Sequence, residues 1–288
     1  MSSFFTKSGF KFVLTLMIIL LAGSLPGLFK GISIDLSGYF HEIRTVLTAL
    51  VHPSEWVYQP QQGVSHPIFP ELWGEYFYSI KILFGSIFLA LVTSLLFAFL
   101  TFFLPKGLRK VVNFIVFIGE SLPDLFIIIM VQLFIIWFYQ RTHILLARIA
   151  GIGDHYIYGL PIICLAILPT FLFYRVIILS FEEELDKDYI DLARSKGLRL
   201  PSVLIRHVVR NLLTGIFFHS KTIIWMMLSN LLIFEYLFNI RGITMFMYEH
   251  PVPLVFTICM SLVFLPIFIF FILIQLLIQW LTGHKVVV

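Results

Sequence analysis

The sequence predicts an all-α polytopic membrane protein that forms a single membrane domain over residues 1–288. Hydrophobic residues make up 59% of the chain and charged residues only 12%, whereas about 25% of the residues of a soluble domain are charged. The apolar residues are gathered in long runs, and most basic residues lie between alternate runs. This composition excludes a soluble enzyme and indicates a chain that folds mainly in lipid.

Six apolar runs reach, or nearly reach, spanning length, since a helix needs about 20 residues to cross a bilayer. We therefore expect about six transmembrane helices, near residues 12–29, 80–104, 111–139, 156–180, 212–236 and 253–281. Residues 1–29, which hold the first run, are interpreted as an N-terminal anchor helix. A cleaved signal peptide is the alternative, because Ala22, Gly23 and Ser24 are small residues of the kind found at cleavage sites.

Residues 30–78 differ in composition from the runs around them. Prolines interrupt this stretch, and Trp73, Tyr76 and Tyr78 lie near its end, where aromatic side chains are typical of the boundary between membrane and water. We predict an extracytoplasmic loop that contains one short helix around residues 43–50. The remaining residues, 79–288, are expected to form the permeation core of the membrane domain.

The basic residues indicate which side of the membrane each loop occupies. Both termini and the segments at 106–110 and 182–211 carry most of the Lys and Arg residues, whereas the segments at 30–81 and 141–148 carry fewer. Loops rich in Lys and Arg stay on the cytoplasmic side. We therefore expect that the two termini and the 182–211 segment face the cytoplasm.

Residues 182–211 are the one long charge-dense stretch of the sequence. A Lys, Arg or Asp at the centre of a membrane helix costs about 3 kcal/mol, so this stretch is expected to face water. It begins with Glu182, Glu183 and Glu184, which look like a metal or acid–base cluster. Runs of like charge at a membrane exit are usually solvated, and we interpret these carboxylates in that way.

A short amphipathic helix is predicted inside this stretch. Tyr189, Leu192 and Ala193 share one face, because residues three and four positions apart are neighbours on a helix. Lys196 in the last turn followed by Gly197 is typical of a helix end. An exposed apolar face on such a helix favours docking in a groove of a partner protein.

The same stretch resembles the cytoplasmic EAA loop of permease subunits in binding-protein-dependent ABC importers, in the form found in the oligopeptide/dipeptide/nickel group. A Tyr-Ile-x-x-Ala-Arg-x-Lys-Gly-Leu run of that group matches residues 189–198, and an Arg-His-x-x-Arg-Asn run matches residues 206–211. In the general Glu-Ala-Ala-x-x-x-Gly motif, Asp191 stands for Glu and Leu192 for the first Ala.

The resemblance covers nearly the whole chain from about residue 75. Residues 121–123, Ser-Leu-Pro, are similar to a Ser-x-Pro in the third helix of those permeases, and residues 235–244 are similar to their Glu-Thr-Val-Phe-x-x-Pro-Gly-Leu-Gly run. The chain departs from the group where Arg241 and Thr214 replace common prolines and where an Asp-Pro-Arg ending is absent. Peptides are favoured over nickel or other small solutes by their frequency in the group.

The resemblance implies the type I permease fold of ABC importers and a non-catalytic subunit of a prokaryotic inner membrane. It implies that the chain contacts a cytoplasmic ATPase through six residues: Tyr189, Asp191, Leu192, Ala193, Lys196 and Gly197. That ATPase would use the ATP, since this chain has no Gly-x-x-x-x-Gly-Lys-Ser/Thr phosphate loop and would bind no cofactor. The other implied partners are a second homologous permease, an extracytoplasmic substrate-binding protein and membrane lipid, with no nucleic acid.

The ionisable residues within the apolar runs include Glu120, Asp124, Arg175 and Lys221. Charges inside a membrane are paired or line water, so we predict that these four face the interior along a translocation path. The alternative is a set of structural ion pairs between helices. Glu120 and Asp124 are expected on one face of the third helix, which Pro123 would kink between them.

Two other classes of function remain as alternatives. A stand-alone secondary transporter or channel would favour internal inverted repeats, which the sequence does not display, and would leave the motif at 189–211 unexplained. A membrane-embedded enzyme is disfavoured because His-Glu-x-x-His and Gly-x-Ser-x-Gly are both absent. We therefore predict neither a catalytic site nor a metal site.

Overall fold

The computed structural model describes residues 2–52, 56–58, 66–151, 156–185, 187–195 and 209–282. At residues 2–5, 30, 189, 191, 193, 194, 209–214 and 281–282 it describes the backbone but not the side chain. The described residues divide into two compact units. The first unit is drawn from Met1–Ile80 and Arg241–Phe271, and the second from Lys81–Ile240 and Ile272–Val288.

Six helices among the described residues are long and apolar enough to cross a membrane. They are α1 (Ser2–Gly23), α3 (Glu71–Phe102), α5 (Asp124–Thr142), α6 (Gly159–Leu185), α8 (Val209–Leu237) and α10 (Pro253–Thr282). The shorter helices are α2 (Leu36–Val51), α4 (Lys106–Ser121), α7 (Asp188–Ser195) and α9 (Ile243–Glu249). The prediction of a helical protein with six spans is confirmed.

In the first unit, α1 packs against α10 through aromatic rings and a small residue. The ring of Phe12 lies 5.7 Å from that of Phe264 and 5.0 Å from that of Phe268. A Cβ atom at Gly23 would lie 2.5 Å from Oγ1 of Thr257, so only a glycine permits this approach. Small residues of this kind let membrane helices pack closely.

The described part of the chain between α1 and α3 contains a 3-10 turn, two pairs of short strands and one helix. A 3-10 turn at Leu25–Leu28 leads into a two-stranded antiparallel hairpin, β1 (Phe29–Lys30) with β2 (Ser33–Ile34). A second antiparallel pair joins β3 (Val57–Tyr58) to β4 (His66–Pro67). Between them lies α2, whose first turn is capped by Asp35, because its carboxylate accepts a hydrogen bond from the Gly38 N–H at 3.0 Å. The short helix predicted around residues 43–50 therefore exists and is longer than predicted.

Helix α3 begins earlier than the apolar run at 80–104 predicts. It starts at Glu71, inside the segment that was expected to be a loop as far as residue 78. Leu72, Ser79 and Leu83 are fully buried, and their spacing of seven and four residues is that of one helix face. The aromatic residues before residue 80 thus belong to the first turns of a spanning helix.

In the second unit, α6 is the helix against which its neighbours pack. The Ser86 hydroxyl on α3 donates to the Ile162 carbonyl at 3.1 Å, and Thr93 and Thr170 join the same two helices through their hydroxyls at 3.1 Å. A Cβ atom at Gly119 would lie 2.5 Å from the ring of Phe171. The glycine at position 119 therefore permits a close approach between α4 and α6.

The third predicted helix, 111–139, is in fact two helices, and this corrects one of our expectations. Helix α4 ends at Ser121 and α5 starts at Asp124, because Leu122 and Pro123 both take extended backbone angles. A residue before proline avoids the helical conformation, so the chain breaks here instead of kinking. The prediction that Glu120 and Asp124 share one helix face is wrong, since they lie on different helices.

Candidate functional site

The predicted coupling segment contains α7, which follows α6 almost directly. The Lys187 ammonium pairs with the Glu184 carboxylate, and the Lys187 carbonyl accepts a hydrogen bond from the Ile190 N–H at 2.9 Å. Ile190 is fully buried, whereas the Leu192 side chain is 57% exposed. The helix is thus fixed on one side by Ile190 and presents an apolar side chain to the surroundings on another.

The structure covers the predicted coupling residues only in part. Tyr189, Asp191 and Ala193 lie in α7 with Leu192, and for these three the structure describes the backbone alone. Lys196 and Gly197, where the helix was expected to end, lie outside the described residues. The short helix is present, and the assignment of these six residues to coupling stays a prediction.

The carboxylates at the end of α6 differ from the solvated run that the sequence suggests. Glu182 forms an ion pair with Arg109 of α4 at 3.0 Å, and Glu184 is 5% exposed and pairs with Lys187. Glu183, by contrast, is exposed. The interpretation of all three as solvated is therefore wrong for Glu184, whereas Glu182 is 48% exposed even though it is paired. Glu182 pairs with a residue of α4, and Glu184 pairs with a residue just after the end of α6. The run of three glutamates does not by itself predict either ion pair.

Glu120 and Arg175, two of the four predicted path residues, meet between α4 and α6. A terminal nitrogen of Arg175 donates to Oε2 of Glu120 at 2.7 Å. The Glu120 side chain is 8% exposed and that of Arg175 is 58% exposed, so the carboxylate is buried while the arginine side chain extends out of the protein interior. Oε1 of Glu120 is buried and has no hydrogen-bond partner among the described residues.

These two residues border a cavity of about 220 Å³, which we call the α4–α6 cavity. Its lining consists of Asn113, Val116, Phe117, Glu120, Tyr174, Arg175, Ile178, Leu179 and Glu182. The Tyr174 hydroxyl donates to the Asn113 side-chain oxygen at 2.9 Å and lies 3.2 Å from the Thr101 hydroxyl. Sequence reasoning missed Asn113 and Tyr174, although a polar pair in two successive apolar runs was a visible signal.

The other two predicted path residues have different neighbours. Asp124, the first residue of α5, accepts a hydrogen bond from the Asn230 side-chain amide of α8. The Lys221 ammonium lies 4.9 Å from the centre of the Phe217 ring. The structure therefore joins Glu120 directly to Arg175, but it gives Asp124 and Lys221 separate surroundings.

A separate polar cluster lies in the first unit, around Tyr58. Its hydroxyl donates to the Glu71 carboxylate at 2.6 Å, and its ring lies 4.2 Å from that of His250. Burial, followed by this hydrogen bond, raises the pKa of Tyr58 to about 12. The phenol is thus held neutral, as a bridge between the β3–β4 pair and the start of α3.

Comparison with known proteins identifies the class of this arrangement. Residues 90–285, more than half of the chain, match the family model described as "Binding-protein-dependent transport system inner membrane component". A comparison with curated proteins finds no match. The family match favours a transport subunit over a stand-alone secondary transporter or channel, and proteins of this kind are generally non-catalytic.

Proposed function

Because the chain belongs to the family of binding-protein-dependent transport system inner membrane components, and is thus an ABC importer permease, we propose that it imports oligopeptides or dipeptides. The support for peptides is the motif at 189–198 and 206–211, which resembles that of the peptide group. Nickel and other small solutes are carried by the same group and are the competing substrates.

We further propose that a cytoplasmic ATPase docks on α7. The observation that carries this proposal is the 57% exposure of Leu192, on a helix whose other apolar contact, Ile190, is fully buried. An exposed apolar side chain outside the spanning helices favours a groove in a partner. The lack of a phosphate loop in this chain means that the energy of ATP must come from that partner.

The connection between α7 and α6 supplies a route for coupling. Glu184 of α6 pairs with Lys187, and Ile190 bonds back to the Lys187 carbonyl, so a pull on α7 is passed to α6. Helix α6 carries Arg175, which faces Glu120 in the α4–α6 cavity. Closure of the ATPase would thus change the contact between α4 and α6, which rocks the bundle between inward-open and outward-open states.

The remaining subunits follow from the same proposal. A substrate-binding protein would deliver the solute at the extracytoplasmic side, near residues 30–78, and a second homologous permease would complete the pore. Both termini and α7 would face the cytoplasm of a prokaryotic cell. Of the predicted path residues, Glu120 and Arg175 have the best support, because they share a cavity. Asp124 and Lys221 stay candidates that the cavity does not include.

A matched pair of substitutions tests the docking role. Leu192→Asp places a charge on the exposed side of α7, and Leu145→Asp makes the same change at a side chain that is 59% exposed in the loop after α5. We expect Leu192→Asp to weaken ATPase binding at least about tenfold, since burying a charge in an apolar groove costs more than 1.4 kcal/mol. Leu145→Asp should leave binding unchanged.

The measurement is the amount of ATPase that co-purifies with the tagged chain from its native membrane, together with ATP-driven uptake of a labelled dipeptide. Equal recovery of the ATPase with both variants would contradict docking on α7. Uptake of labelled Ni²⁺ in place of the dipeptide by the unchanged transporter would overturn the proposed substrate but not the coupling.

A further inference from the structure

We propose that the α4–α6 cavity binds a primary ammonium or guanidinium group and that Glu120 holds it. The proposal rests on the proposed function only for the route by which a solute reaches the cavity. The observations behind it are the unpartnered Oε1 atom of Glu120 and the cavity that Glu120 lines.

The Glu120 carboxylate is satisfied on one side only. Oε2 accepts a hydrogen bond from Arg175 at 2.7 Å, while Oε1 is buried and has no partner among the described residues. Buried side-chain oxygens nearly always have a hydrogen-bond partner. Because Glu120 lines the cavity, the missing donor for Oε1 belongs in that space.

The surroundings of the carboxylate favour a charged donor. Arg175 bonds to Oε2 alone, at 2.7 Å, and 58% of its side chain lies outside the protein interior, so it neutralises the buried carboxylate only in part. Glu182, the second carboxylate of the lining, already has Arg109 as its partner. The acceptor that remains in the lining is therefore Oε1 of Glu120, and hydrogen bonds between ionised groups are about twice as strong as neutral ones.

The cavity selects an organic cation over a metal ion. A calcium or magnesium ion needs about six or more oxygen ligands, whereas Glu120 offers one free oxygen, and Asn113 and Tyr174 already bond to each other. Much of the lining is apolar, with Val116 and Ile178 among its members. A small amine with an aliphatic tail meets both features.

The volume fits such a ligand. The cavity measures about 220 Å³, and a water molecule in the liquid takes up about 30 Å³, so the space exceeds what a single water would fill. A primary ammonium can come from a solute in transit, such as the amino terminus of a peptide, or from the headgroup of phosphatidylethanolamine. Both offer the same chemistry to Glu120.

The test uses the full chain in phosphatidylcholine nanodiscs and small probes observed by saturation-transfer NMR. The probes are butylammonium, the neutral 1-pentanol and the anion butanoate, each corrected for its signal with empty nanodiscs. We expect butylammonium to bind more tightly than either of the other two. Equal binding of all three would overturn the proposal, and this comparison does not depend on any variant.

Two variants then locate the site. Glu120→Gln keeps the shape of the side chain but removes its charge, and it should weaken butylammonium binding at least about tenfold, as expected when a charge-assisted hydrogen bond is lost. Glu183→Gln removes an exposed carboxylate outside the cavity lining and should leave binding unchanged. Full binding by Glu120→Gln would overturn the assignment to Glu120.

Nanodiscs that contain phosphatidylethanolamine distinguish the two sources of the ammonium group. If this lipid displaces butylammonium, the site holds a lipid headgroup, and if it does not, the site is open to a solute. The proposed function is tested separately by Leu192→Asp. If Leu192→Asp weakens ATPase binding but the cavity binds no butylammonium, the inference about the cavity is overturned and the proposed function is not.

Discussion

Two polar contacts in the second unit join helices within the membrane domain and satisfy their polar groups differently. At the contact of α5 with α8, Asp124 accepts from the Asn230 amide, and the Gln132 amide lies 3.3 Å from the Leu237 carbonyl. At the α4–α6 cavity, Glu120 pairs with Arg175 through one oxygen and leaves the other without a partner.

The difference shows what distinguishes a structural polar residue from one that is available to a ligand. An amide side chain is short and neutral, so it remains between the helices and bonds to the group opposite it. Arg175 is long and extends out of the protein interior, with 58% of its side chain exposed, so it leaves space beside the carboxylate it pairs with. An ionisable residue in an apolar run is therefore evidence for a path only when a cavity adjoins it.

The largest effect on stability is expected at the α5–α8 contact. Asn230→Leu removes the amide that bonds to Asp124, and leaving a buried polar group without its partner costs about 1–3 kcal/mol. We expect the free energy of unfolding to fall by this amount, measured by denaturation of the full chain in nanodiscs and followed by circular dichroism. Butylammonium binding at the α4–α6 cavity should not change.

A double variant is the control for this prediction. Replacing both partners, Asn230→Leu with Asp124→Leu, leaves no unpaired polar group and should recover most of the lost stability, because exchanging both members of a hydrogen bond is nearly neutral. Were the double variant as unstable as Asn230→Leu, the bond to Asp124 would not be what stabilises this contact. The α5–α8 contact would then no longer differ from the α4–α6 cavity in having a hydrogen bond that stabilises the fold.

The membrane architecture was predictable from the sequence, because span length and hydropathy are properties of a single segment. The positions of α6, α8 and α10 follow the apolar runs at 156–180, 212–236 and 253–281 closely. The helix break at Leu122 and Pro123 was missed because a proline inside an apolar run also fits a kinked helix. Only the backbone angles on both sides separate the two.

The sequence predicts which charged residues belong to the candidate site, but it does not predict which of them contact each other. Glu120 and Arg175 stand out as charges in apolar runs, yet their sequence separation gives no sign that they meet. Asp124 was grouped with Glu120 by helix periodicity, which ceases to apply once the helix is broken. Which polar residues share a cavity depends on how α4 packs on α6, and this is decided by tertiary contacts such as that of Gly119 with Phe171.

An intermediate effect is expected from Gly119→Ala, which alters the contact between α4 and α6 next to Glu120 of the cavity lining. The new Cβ would lie 2.5 Å from the Phe171 ring. Overpacking of this kind costs about 1–2 kcal/mol when the ring can turn partly aside. We expect a loss of stability in that range and weaker butylammonium binding, because α4 must move away from α6.

The matched control is Gly107→Ala in the same helix, where a Cβ would meet nothing within 4 Å. It should be neutral or stabilise by up to about 0.5 kcal/mol, because alanine is the better helix former. If Gly119→Ala behaved like Gly107→Ala, the close approach at Phe171 would have no part in shaping the cavity. Adding Phe171→Leu to Gly119→Ala should restore both stability and binding.

The smallest effect is expected at the rim of the cavity, where Arg109 and Glu182 pair at 3.0 Å with 26% and 48% of their side chains exposed. Exposed ion pairs contribute about 0.2–1 kcal/mol, and salt weakens them further. Arg109 also lies 4.6 Å from the centre of the Phe102 ring, so a single substitution would overstate the value of the ion pair.

A double-mutant cycle with Arg109→Met and Glu182→Gln removes the contribution of the contact between Arg109 and Phe102. That contact is lost equally whether or not Glu182 is present, so it cancels from the coupling energy. We expect a coupling energy of about 0.5 kcal/mol that decreases as salt is added. A coupling that exceeded about 1.5 kcal/mol and resisted salt would make this pair as structural as the bond between Asp124 and Asn230. The α4–α6 cavity would then be locked at its rim, and rearrangement of α4 against α6 during transport would have to break that pair first.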